Sequence, residues 1–240
     1  MPNPDEHAVA YRALALTALL TRTQLEHGAK ADPQRMAGWQ RIQGELTAWM
    51  EKEGIDVALS PGERELLDRP LGGWSDDEVF ECVWRSEALT ALLWALGMLG
   101  AMPAYGKRVE EAVINPHIPA LKPVAPWLES ANLRPANDLQ AARTAAEFWL
   151  WRARTELAQR RGEEPPPGES YEDAVSRGLE KAAEEGILDE PIDGDIGVEG
   201  TPFGELEDAQ FADAYSVSLE RLFALNWVCG YAENWDETPT

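Results

Sequence analysis

Positive charge is scarce in this chain: 21 lysines and arginines face 43 aspartates and glutamates, a formal net charge of -22 over 240 residues. Nucleic-acid binding depends on clustered cations that displace counterions from phosphates, so it is excluded here, and an anionic membrane surface with it. Thiols are scarcer still. Cys82 and Cys229 are the only cysteines and stand in neither a CxxC nor a metal-ligand spacing, which excludes a disulfide framework. His7, His27 and His117 are isolated from one another and from the cysteines, so no metal and no cofactor is expected. The phosphate-cradling GxxxxGK[ST], the dinucleotide GxGxxG and the nucleophile elbow GxSxG are all missing, which removes the nucleotide and serine-hydrolase readings. The longest apolar stretch, Ala88 to Met102, is broken by Thr90, Gly97 and Gly100 and is too short to span a bilayer. Met1 to Glu6 is acidic and proline-bearing, unlike a secretory leader, so a cytoplasmic location is expected. No run of alternating β-branched residues reads as a strand.

What is present is helix punctuation. With 44% hydrophobic and 27% charged residues the chain has the composition of a globular protein. Asn3-Pro4-Asp5-Glu6 opens a helix that runs to Gly28, Asp32-Pro33 one that runs to Gly54, and Ser60-Pro61-Gly62-Glu63 a short one that stops before Pro70. Ser75-Asp76-Asp77-Glu78 is a capping box, the serine oxygen and the glutamate carboxylate each meeting a free backbone N–H. It opens the most apolar helix, ending near Gly97. A long helix from about Pro135 to Arg161 presents Leu139, Ala142, Ala146, Trp149 and Ala153 as a core-facing stripe. Ser170 to Asp173 caps another that ends at Gly186, and a last one spans roughly Glu205 to Cys229. Between these lie linker-like loops over about 101–135, 162–170 and 189–204, the first proline-rich and the last acidic and glycine-rich. The fold expected is all-α: a single domain over residues 1–240, an orthogonal or irregular multi-helix bundle.

Two helices share a pattern. Glu87 through Gly97 and Glu220 through Gly230 both read E-x-L-x-A-L-x-W-x-x-G, which sets Glu87, Ala91 and Trp94 on one helical face and Glu220, Ala224 and Trp227 on another. Both tryptophans are expected to be buried. A carboxylate on an apolar face requires a cation, and Arg12, Arg85 and Arg221 are the candidates. An internal ion-pair network joining Arg12, Arg85 or Arg221 to Glu87 and Glu220 is the expectation. The loop acids Asp189, Asp193, Asp195 and Glu199 suggest calcium superficially, but their spacing does not fit the twelve-residue EF-hand.

The stretch Trp84-Arg85-Ser86-Glu87-Ala88-Leu89, continuing through Leu93-Trp94-Ala95-Leu96-Gly97, resembles the central signature of the bacterial family catalogued as domain of unknown function 4272. So do Arg12 to Leu16, Leu133-Arg134, and Glu220-Arg221 through Ala224-Leu225-Asn226-Trp227 to Trp235-Asp236. The resemblance covers nearly the whole chain and implies no activity.

Two functions remain open on the sequence. One is a non-catalytic interaction module whose acidic surface engages a basic protein partner, as an inhibitor or immunity-type protein would, the long-range field drawing the partner in. The other is a small-molecule binder or enzyme using a tryptophan-lined recess with Glu87, Glu220 and a neighbouring arginine. No catalytic residue is nominated. Arg12, Trp84, Arg85, Glu87, Trp94, Glu220, Arg221, Asn226 and Trp227 are the candidate core network or pocket.

Overall fold

Side chains at the helix starts set the boundaries of this fold. Asp5 accepts the backbone N–H of Ala8 and starts α1 (Glu6–Ala31), and Ser60 with Glu63 and Ser75 with Glu78 close reciprocal capping boxes on α3 (Pro61–Asp68) and α4 (Asp76–Ala95). Between α1 and α3 run a 3-10 turn at Pro33–Arg35, α2 (Met36–Glu53) and a 3-10 turn at Ile55–Ala58. The computed structural model describes residues 3–165, 167–187 and 191–240. Met1, Pro166 of the proline-rich linker and Asp189 of the acidic loop lie outside them.

After α4 the chain becomes irregular, as six prolines from Pro103 to Pro135 require, with α5 (Glu111–Ile114) and α6 (Ala125–Ser130) as brief turns. It then forms α7 (Ala136–Arg160), α8 (Tyr171–Glu184) and α9 (Asp208–Val228). The architecture is all-α, with one correction. A small antiparallel hairpin, β1 (Gly197–Val198) and β2 (Thr201–Pro202), stands in the acidic loop, Val198 opposite Thr201. Its turn residues Glu199 and Gly200 both have positive φ, the geometry of a two-residue turn whose twist matches paired strands. Other boundaries shift slightly: α1 continues three residues past Gly28, and Phe203–Glu205 is a separate 3-10 turn before α9.

The core lies where α4 packs against both α1 and α9, with α7 on the far side of α9. α1 is buried on two sides. Val9, Ala13 and Leu16 join the main core with α4, α7 and α9, while Leu14, Ala18 and Leu25 join a second cluster with α2, α3 and Trp74. A third cluster, around Phe203, Ile196 and Ala153, seats the hairpin on α7.

Both E-x-L-x-A-L-x-W-x-x-G helices end alike. Met98 N–H bonds Leu93 C=O and Gly97 N–H bonds Trp94 C=O; Tyr231 bonds Asn226 and Gly230 bonds Trp227 in the same way. This is a Schellman closure, which needs a left-handed residue. Gly97 and Gly230 supply it at φ 71° and 78°, and a Cβ on Gly230 would also meet Asn3 Oδ1 at 2.4 Å.

Candidate functional site

Glu87 sits at the centre of the α4–α9 contact with no exposed surface. Arg221, equally sealed, donates to its Oε2 from Nε at 2.9 Å and Nη2 at 2.7 Å. The other Glu87 oxygen accepts the Val109 backbone N–H at 2.5 Å. Arg221 Nη1 reaches Pro103 C=O at 2.5 Å, and its guanidinium lies 4.8 Å from the Tyr105 ring centre. Burial pushes the Tyr105 phenol up to about 12, with Arg221 opposing and Glu87 adding. The pair therefore neutralises two internal charges and fastens the loop that leaves α4.

Arg85 takes Glu220 at the edge of the same contact, at 3.1 and 3.2 Å. The two glutamates hold equivalent positions in the shared pattern, yet only Glu87 is sealed; the Glu220 side chain keeps 12% of its surface. Burial raises the Glu220 carboxyl above its ordinary 4.5, Arg85 opposing and Glu87 adding. A raised folded-state pKa means that the folded protein holds a proton the unfolded chain has released, so stability present at low pH is lost as pH climbs from about 4.5 through the raised value. Glu220→Gln is expected to flatten that decline. Urea denaturation at pH steps from about 4.5 upward checks it, and an unchanged slope would remove Glu220 as its source.

Of the three candidate arginines, Arg85 and Arg221 take the two glutamates and Arg12 does not. It is buried, and its Nη2 pairs with Glu63 while Nη1 donates to Ala58 C=O at 2.7 Å. Glu63 also closes the α3 capping box by accepting the Ser60 N–H, so one carboxylate fixes the start of α3 and holds it to α1. Arg12 Nε has no hydrogen-bond partner among the described residues. The Trp235 ring covers the guanidinium with its centre at 4.5 Å.

Three pairs that sequence reasoning missed follow one spacing, Arg-x-x-x-Glu along a helix, where i and i+4 share a face. Arg22 pairs with Glu26, both sealed, and reaches the carbonyls of Leu67, Arg69 and Pro70. Arg143 pairs with Glu147 and donates from Nε to Asn226 Oδ1 at 2.7 Å, while Asn226 Nδ2 donates to Pro239 C=O at 2.8 Å. Arg152 pairs with Glu156 and grips Asp195 through Nε at 2.8 Å and Nη2 at 2.6 Å. Asp195, one of the acids that suggested calcium, thus takes two arginine donors and the backbone N–H groups of Ile196 and Gly204. Asp193 and Glu199 are exposed on turns. Among the described residues, no three histidines, cysteines or carboxylates gather as a metal site would require.

The tryptophans separate. Trp94 is buried beneath Arg134, whose guanidinium lies 4.7 Å from its ring. Trp84 is half-buried, with Phe80 edge-on at 6.3 Å and Arg108 at 5.9 Å. Trp227 is buried and meets Trp235 edge-on at 5.4 Å. Beside those last two rings a cleft of about 730 Å³ opens between the start of α1, residues 54–61 and the tail after α9. Tyr11, Arg12, Val57 and Trp227 line it, and Glu233, Asp236 and Glu237 edge it. The recess thus meets Trp227 and Arg12 but not Glu87, Glu220 or Trp94. Neither thiol contributes: Cys82 is buried and pushed up to about 11 by burial, and burial raises Cys229 as well, so both are held as thiols, the weakly nucleophilic form.

A family model described as Domain of unknown function (DUF4272) matches residues 2–176, and the chain belongs to that family. No curated protein and no solved structure matches the chain. The matched span holds Arg12, Trp84, Arg85, Glu87 and Trp94, while Glu220, Arg221, Asn226 and Trp227 lie beyond it. No helix among the described residues is long and apolar enough to cross a membrane.

Proposed function

We propose that this chain, as a member of the DUF4272 family, is a non-catalytic interaction module whose acidic surface engages a basic protein partner. The observation that carries the reading is where the scarce cations are spent. Arg12, Arg22, Arg143, Arg152 and Arg221 are all buried, and each holds a carboxylate of the same chain. The acidic excess of -22 is therefore carried mainly by exposed carboxylates, including Glu172, Glu180 and Glu184 on α8 and Glu233, Asp236 and Glu237 on the tail. Such a field speeds encounter with a positively charged surface and weakens as salt screens it. The buried ionisable groups support a non-catalytic role: Glu87, Arg221, Arg152 and Asp195 are engaged with partners that fasten loops and are closed to solvent.

Affinity capture from the organism's own cells, with elution by a rising salt gradient, tests the proposal. The expected result is a protein of pI above about 9, released as ionic strength increases. Recovery of a neutral or acidic partner, or one indifferent to salt, would overturn it.

A further inference from the structure

The tail after α9 is built to present carboxylates. Trp235 turns inward, packing edge-on against Phe223 with ring centres 4.7 Å apart and against Trp227, and lying over Arg12. Thr238 is buried, and Pro239 C=O is held by Asn226. These anchors leave Glu233, Asp236 and Glu237 facing solvent at the edge of the cleft, and none of the three makes a salt bridge among the described residues. On the opposite lip Val57 is 78% exposed, an apolar surface that burial against a ligand would favour.

We infer that this cleft takes an arginine side chain from a basic protein segment, its guanidinium received by Glu233, Asp236 and Glu237 and its aliphatic stem laid along Val57 and the indoles. The inference rests on the basic-partner reading and gives it a place. An anionic occupant is disfavoured twice. The three rim carboxylates repel it, and Arg12, the cation at the cleft wall, is 3% exposed, covered by Trp235 and engaged by Glu63 and Ala58. Arginine suits the site better than lysine because its planar, weakly hydrated head both pairs with carboxylates and rests on aromatic surface. A volume of about 730 Å³ lies in the range of pockets that enclose a ligand of one or two side chains.

The test is fluorescence anisotropy with a labelled, end-capped peptide of alternating arginine and glycine, alongside its glutamate counterpart, at low salt. The parent protein is expected to bind the arginine peptide alone. Replacing Glu233→Gln, Asp236→Asn and Glu237→Gln together should weaken binding roughly tenfold. The remote triple Glu172→Gln, Glu180→Gln and Glu184→Gln, which removes the same charge from α8, should weaken it less than about twofold. Val57→Lys, at an exposed position that tolerates the change, should also weaken binding by placing a cation on the lip, with thermal melting confirming that each variant is folded. Equal weakening by the two triples, or no binding by the parent protein, overturns the cleft assignment. Equal weakening leaves the basic-partner reading standing, and failure of that reading shows separately as the absence of a salt-released basic partner from cells.

Discussion

Arg221→Ala is expected to lower the free energy of unfolding by about 5 kcal/mol, the upper end of what removing one member of a buried ion pair costs. The reason is the state in which it leaves Glu87. That carboxylate has no exposed surface and would keep only the Val109 N–H as a donor. Pro103 C=O would lose its donor and Tyr105 the cation that covers its ring. Denaturation in urea, read as a shift in midpoint at constant slope, measures the loss. The informative companion is the double variant Glu87→Met with Arg221→Met. An apolar pair of similar volume restores packing and strands no charge, so it should be far less damaging than Arg221→Ala. If the single and the double cost the same, neither lost volume nor the stranded Glu87 charge is the cause, and the damage comes from hydrogen bonds lost in both, such as that of Arg221 to Pro103 C=O.

Arg152→Ala is expected to be nearly as severe, about 4–5 kcal/mol, and its effect should be local as well as global. Two buried carboxylates, Glu156 and Asp195, meet on this one guanidinium, which also covers the Phe203 ring at 5.0 Å. Glu156 keeps a second cation in Arg160, at 2.9 Å, whereas Asp195 has no other among the described residues. Asp195 in turn accepts the Ile196 and Gly204 N–H groups. Hydrogen exchange should therefore show those two amides losing protection before the helices of the core do. Protection that falls uniformly across the chain would mean that Arg152 does not clamp the hairpin segment in particular.

The helical frame is readable in the sequence because serine, aspartate and proline at helix starts and glycine at helix ends act through neighbouring backbone groups, so the signal is local. A separate tight turn just before the hairpin is also locally marked. Asp193-Gly194 between Ile192 and Asp195 is a strong turn signal, and Ile192 does bridge Asp195. Acid and glycine content obscured it. The match of residues 2–176 to the family is narrower than the resemblance, which extended to Trp235-Asp236. Burial of Trp94 and Trp227 follows from the amphipathic pattern, but partner choice does not. Arg85, Glu87, Glu220 and Arg221 meet across more than a hundred residues of chain, and which arginine takes which glutamate depends on how α4 and α9 are offset. Arg12 shows the limit most clearly. Its helical face was readable, but Glu63 looked like a capping residue alone, and nothing in the spacing announces that one carboxylate serves both purposes. The Arg-x-x-x-Glu repeats were readable in principle; on an exposed helix the same spacing marks an ordinary surface pair.

The buried pairs are made by arginine without exception, and the chain's lysines, Lys30, Lys52, Lys107, Lys122 and Lys181, all lie at the surface. Amine chemistry therefore cannot reach the internal charges: acetylation, which removes a lysine's cation, or an amine-directed crosslinker would alter only the periphery. Each lysine acetylated makes the surface more acidic while the paired interior keeps its balance. Acetylation would thus add to the net negative charge of the surface and leave the buried pairs untouched.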